Sequence, residues 1–125
     1  VWLPFDPGRI GVVQKLEPQI QRGMAPTYVP GVKESIPAIY IRNFLIAEVT
    51  VPDVVAYNAV KVVCERSKDV AGLTWELREW TKERAIIPDT FFPYHPGAIK
   101  YFKEQGMWTD ALESLQKKLL TELPK

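Results

Sequence analysis

The stretch from Ile36 to Val49 constrains the fold most tightly, because it is apolar apart from Arg42-Asn43 and Glu48 and is rich in Ile, Val, Phe and Tyr, the composition of a strand. At about 3.3 Å per residue it would extend roughly 45 Å, well beyond an ordinary strand. It is therefore expected to bend, or to divide in two, near Arg42-Asn43. A run with no polar alternation needs cover on both faces, which favours a sheet overlaid by helices over an open antiparallel one.

Helical signals surround this run. Residues 2 to 5 read as a short strand, and Asp6-Pro7 supplies a cap followed by proline for a helix over about 7 to 17, closed by Pro18. From Pro18 to Ser35 the period is lost among Gly23, Pro26, Pro30 and Gly31, and a long irregular connection is expected. Thr50-Val51-Pro52-Asp53 opens a helix to about Ser67 that is apolar on nearly every side, a pattern that predicts burial. Leu73, Leu77 and Trp80 give one face of an amphipathic helix over Leu73 to Arg84, stopped by Pro88. Thr90 to Pro93 forms an aromatic loop, and Tyr94 to Gly106 is a helix marked at both ends. His95 can cap it, Pro96 suits its first position, Gly106 suits the left-handed residue that closes it, and Ile99, Phe102 and the stem of Lys103 are its expected inward stripe. Thr109 caps a last helix carrying Leu112, Leu115 and Leu119. The expectation is an α/β fold, a small sheet covered by about four to five helices, in a single domain over residues 1–125.

With 125 residues, 46% hydrophobic and 25% charged, the chain has the composition of one globular core. Sixteen Lys and Arg are interspersed with fifteen Asp and Glu for a net charge of +1, which argues against a nucleic-acid partner because no basic stripe stands out. No apolar run approaches the roughly 18 residues of a membrane span. Cys64 is the single cysteine, so no internal disulfide can form. The first residue is Val1 rather than Met, and the chain reads as a piece of something longer.

Catalytic chemistry finds little support. Cys64 lies among valines on a helix expected to be buried, whereas a nucleophilic thiolate needs an accessible, electropositive setting. One His and one Cys cannot supply the three or four ligands of a zinc site, no glycine-rich phosphate loop occurs, and no cofactor is implied. Glu76, Glu79 and Glu83 share a helical face with Arg and Lys and read as a solvated surface. Trp75 and Trp80 read as packing residues, and His95 as a cap. Tyr28 differs, since it sits in a Gly/Pro-bounded loop just before the apolar run, where a hydroxyl can stand at the mouth of a cleft near the sheet ends. Packing of its ring over the sheet edge is the alternative.

Three segments in order resemble the C-terminal part of the TAXI family of substrate-binding proteins, the extracytoplasmic receptors of TRAP transporters. They are Pro26-Thr27-Tyr28-Val29-Pro30-Gly31, the run Ile36 to Val49 leading into Val51-Pro52-Asp53-Val54-Val55-Ala56-Tyr57, and Tyr94-His95-Pro96-Gly97-Ala98 through Tyr101-Phe102 to Gly106. Together they cover about Trp2 to Met107. The resemblance implies a partial periplasmic-binding-protein-like lobe, the C-terminal portion of a larger two-lobed receptor that closes on a small carboxylate or amino acid. It further implies a periplasmic or extracytoplasmic setting, a non-enzymatic role and delivery of the solute to the membrane subunits of a TRAP transporter. Thr27 and Tyr28 would line the interlobe cleft, with Arg42 and Asn43 on the strand that returns toward the first lobe. The alternative is an assembly module that forms a homodimer through an apolar sheet edge or helix face.

Overall fold

The computed structural model describes residues 5–17 and 20–122; the strand expected at 2 to 5 falls almost wholly outside them. Two compact units form, residues 1–45 and residues 46–125. Across both, the described residues contain a two-stranded sheet and five α-helices, so the α/β class holds.

In the first unit Asp6 accepts a hydrogen bond from the Gly8 N–H at 2.9 Å and caps a 3-10 turn, Pro7–Arg9, that runs into helix α1, Ile10–Leu16. Ile10 is its buried residue. Strand β1, Gln21–Ala25, then pairs antiparallel with β2, Ile36–Tyr40, in the register Gln21↔Tyr40 through Ala25↔Ile36. One face of this hairpin, with Ala25, Ile36 and Ala38, packs with buried Val29 and Val32 into a small core; the other carries Arg22, Met24, Pro37 and Ile39. The far edge of β2 accepts a hydrogen bond from Phe5 N–H to the Pro37 carbonyl at 3.0 Å.

Two expectations are corrected here. The connection from Pro18 to Ser35 contains a strand, β1, whose Gln-Arg-Gly-Met-Ala sequence has no strand signature of its own and is held by its partner. The apolar run is a strand only to Tyr40, because β1 begins opposite it: the Ile20 N–H turns back to the Glu17 carbonyl at 3.1 Å instead of extending the ladder. Residues 41–48 are irregular, and much of the run is exposed, up to 90% at Val49, so the expected burial on both faces is not found.

The second unit holds α2, Asp53–Glu65, a short α3, Ser67–Ala71, α4, Pro96–Glu104, and α5, Asp110–Glu122. Its core is Cys64, Ala98, Tyr101 and Phe102, with Tyr57, Val60, Tyr94, Met107 and Trp108 packed against them. Helix α2 is not buried all round: Val54, Val55 and Val62 are exposed, because α4 covers only the stripe that carries Ala56, Tyr57, Val60 and Cys64. The helix expected over Leu73 to Arg84 is instead two 3-10 turns, Trp75–Glu79 and Lys82–Arg84. Thr74 and Thr81 precede them in extended conformation and interrupt the helical ladder.

The marked helix α4 follows its signals. The His95 ring accepts from the Gly97 N–H at 3.2 Å, Pro96 occupies the first turn, and Gly106 adopts φ +67°. Its buried stripe is Gly97, Ala98, Tyr101 and Phe102, one step from the expected Ile99 and Lys103. Lys103 reaches out to Glu113 of α5 at 3.1 Å. Thr109 caps α5 through the Leu112 N–H at 3.3 Å.

Candidate functional site

The loop between β1 and β2 is built from two consecutive turns. Val29 N–H donates to the Pro26 carbonyl at 3.1 Å, and Val32 N–H donates to the Val29 carbonyl at 3.0 Å. In the second turn Pro30 presets its own backbone and Gly31 takes the φ of +85° that the third position of a type II turn requires. Val29 and Val32 point inward and anchor the loop, whereas Thr27 is exposed and Tyr28 half-buried against the same small core. The loop thus holds Thr27 and Tyr28 in place, and a hydroxyl and a phenol can each donate and accept hydrogen bonds.

Arg42 and Asn43 stand elsewhere. They follow Tyr40, which pairs with Gln21, whereas Thr27 and Tyr28 follow Ala25, which pairs with Ile36. The two pairs are separated by four residue steps of the ladder, about 13 Å. The hairpin therefore sets Thr27-Tyr28 beyond one end and Arg42-Asn43 beyond the other, and does not converge them on one point. The segment that carries Arg42 and Asn43 also contains the boundary between the compact units, at residues 45 and 46.

In the second unit the polar groups serve the fold. Both ring nitrogens of His95 are occupied: Nδ1 accepts from Gly97, and Nε2 lies 3.0 Å from the Val51 carbonyl, to which it donates. Cys64 is 5% exposed, and burial pushes its thiol up from the ordinary range, the opposite of nucleophile activation. Glu76 bonds to Thr74 and Glu79 pairs with Arg84. The Glu83 carboxyl is held low by its own backbone N–H and the Thr81 hydroxyl. Among the described residues no group of three His, Cys, Asp or Glu converges on a metal position.

Tyr101 is fully enclosed, and among the described residues its hydroxyl has no nitrogen or oxygen partner, the weakly bonding Cys64 thiol being its polar neighbour. Burial, followed by the neighbouring Cys64, pushes its pKa up to about 12 from 10.0. Because the folded value lies above the unfolded one, this contribution to stability is fully present below about pH 10 and is lost as pH rises toward 12. Tyr101→Phe is expected to blunt the alkaline loss and, by removing an unpaired buried hydroxyl, to raise stability at neutral pH by about 1 kcal/mol. Thermal melts of both proteins from neutral to alkaline pH check this, and a less stable Phe variant at neutral pH would show that the hydroxyl is partnered.

Sequence reasoning missed β1, and with it the topology that separates the two residue pairs. A signal was present: a type II turn between two inward valines implies a partner strand on its N-terminal side.

A sequence model of the NMT1-like family matches residues 2–106. No curated protein and no solved structure matches. The family is periplasmic-binding-protein-like, and no helix among the described residues is long and apolar enough to cross a membrane.

Proposed function

The chain belongs to the NMT1-like family, whose general role is extracytoplasmic solute binding, and from that membership we propose that it is the C-terminal part of a TRAP-type solute receptor of the TAXI group. The family match over residues 2–106 carries the reading. In it the receptor captures a small organic anion or amino acid by hinge closure and hands it to the membrane subunits, with no catalytic step. Thr27 and Tyr28 hydrogen-bond the solute from their double-turn platform. Arg42 and Asn43 engage it from the opposite side on closure, and the irregular segment 41–48 is the hinge, a role supported by the unit boundary at residues 45 and 46.

A panel of dicarboxylates and amino acids is expected to raise the melting temperature. Tyr28→Phe loses one neutral hydrogen bond of about 0.5–1.5 kcal/mol, so solute affinity should fall roughly two- to twelvefold while the ligand-free chain stays folded. Unaltered affinity removes Tyr28 from the site. A second reading, self-association through an apolar surface, is favoured by the exposure of Leu45, Ile46 and Val49, and of Val54, Val55 and Val62 on α2. A dimeric mass by light scattering, with no melting shift from any solute, would select it.

A further inference from the structure

Helix α2 carries a second apolar stripe on the side turned away from α4. Val55, Asn58 and Val62 recur at steps of three and four and so share one face, flanked by Val54 and Ala59. Val54, Val55 and Val62 are each more than half exposed, and Asn58 is exposed between them. We infer that α2 of a second copy of the chain packs on this stripe, antiparallel, about a twofold axis beside Asn58. The inference rests on the self-association reading above and names its surface and its direction.

The occupant follows from Asn58. A side-chain amide set between valines loses its water when the stripe is covered, and an apolar partner would leave its donor and its acceptor unpaired. Among the described residues that amide has no hydrogen-bond partner in its own chain. A second Asn58 across a twofold axis answers both groups, since a carbonyl and an NH2 on one side chain are complementary to the same pair on another. With the axis there, Val55 of each copy faces Val62 of the other. A single asparagine in an apolar seam also fixes the register between two helices.

Charge sets the direction. Glu65 is exposed at the C-terminal end of the stripe, whereas the neighbouring Arg66 is occupied by Asp69 at 2.7 Å. Parallel helices would bring two Glu65 carboxylates together at the negative ends of their own dipoles. Antiparallel helices bring each Glu65 to the first turn of the partner's α2, the positive end. Asp53 of that turn lies off the stripe, 3.8 Å from His95 at the start of α4. Because α2 has 13 residues, a length of about 20 Å, the covered area stays below the roughly 1,200 Å² of a stable complex. The dimer is accordingly weak and concentration-dependent.

Sedimentation equilibrium of the full chain at neutral pH, from micromolar to millimolar concentration, is expected to show a reversible monomer–dimer equilibrium. Val62→Glu and Asn58→Asp should each weaken it at least about tenfold, because one sets a charge against valine and the other sets like charges across the axis. Both positions are exposed in the single chain, so the amide spectra of the monomers should remain those of a folded protein. Leu45→Ser, off α2, should leave the equilibrium unchanged. For direction, a chain carrying Val55→Cys should cross-link in air to a chain carrying Val62→Cys, and much less to itself. A dimer that survives Val62→Glu and Asn58→Asp would overturn the α2 surface while self-association itself stood. Self-cross-linking in excess of the mixed product would overturn the antiparallel arrangement, and a monomer at every concentration would remove the inference and the self-association reading together.

Discussion

Gly97→Ala is expected to destabilise the 46–125 unit by about 3 kcal/mol or more, toward the upper end of the range for forcing extra atoms into a packed interface. A methyl group on Gly97 would stand 2.1 Å from the Asp53 carbonyl oxygen and 2.9 Å from both the Asp53 carbonyl carbon and the Tyr57 nitrogen. These obstacles are backbone atoms in the first turn of α2 and cannot swing aside as a side-chain tip would. Either that turn breaks or α4 retreats, and retreat opens the contacts that Ala98, Tyr101 and Phe102 make with Tyr57, Val60 and Cys64. Helix propensity alone argues the other way, since alanine is favoured over glycine inside a helix by about 1 kcal/mol. The sign of the change therefore decides between local preference and close approach. For an ~80-residue unit the expected fall in melting temperature is roughly 12–24 °C, followed through the amide signals of α4. A rise would mean that the helices do not meet at Gly97.

The same contact explains why the His-Pro-Gly-Ala segment could be read as a helix start from sequence while its purpose could not. The capping roles of His95, Pro96 and Gly106 lie within their own helix, so their signals are local and legible. The need for glycine at position 97 arises from α2, more than thirty residues earlier in the chain, and no local pattern records it. The run from Ile36 to Val49 was legible as apolar but not as to where it stops pairing, because its end is set by β1, a strand with no alternation of its own. Removal of β1 from the sequence reading also removed the hairpin, and with it the separation of Thr27-Tyr28 from Arg42-Asn43. The loop itself was legible through Pro30-Gly31, since a type II turn is a local demand on two residues. Features that belong to one element were thus visible, whereas features that depend on which elements meet were not. The candidate binding residues are of both kinds: their chemistry is local, whereas the hairpin that holds the two pairs apart is not.

Gln116→Leu is expected to have the second largest effect, about 2–4 kcal/mol, even though it replaces a buried polar side chain with an apolar one of similar size. Gln116 is 7% exposed. Its Oε1 accepts from the Tyr94 N–H at 2.7 Å, and its Nε2 donates to the Tyr94 carbonyl at 2.9 Å, so one side-chain amide satisfies both backbone groups of a residue just ahead of α4. Tyr94 is held at its other end as well, where its hydroxyl accepts from the Ile87 N–H at 2.7 Å and donates to the Ile87 carbonyl at 3.2 Å. Its ring meets Phe102 and Trp108 edge to face. Leucine would leave two half-buried backbone groups unpaired at about 1–3 kcal/mol each, offset by roughly 1–2 kcal/mol of added apolar burial. Gln116→Glu separates this account from simple loss of fit, because the carboxylate keeps the shape and the acceptor but has no hydrogen to donate to the Tyr94 carbonyl. Burial against that carbonyl would raise the new carboxyl's pKa in the folded state, so the defect should be largest at neutral pH and shrink as pH falls and the acid regains a donor. Urea unfolding of the two variants at neutral and mildly acidic pH checks both statements. A Glu variant whose deficit does not change between them would show that the Nε2 bond to Tyr94 contributes nothing to the fold.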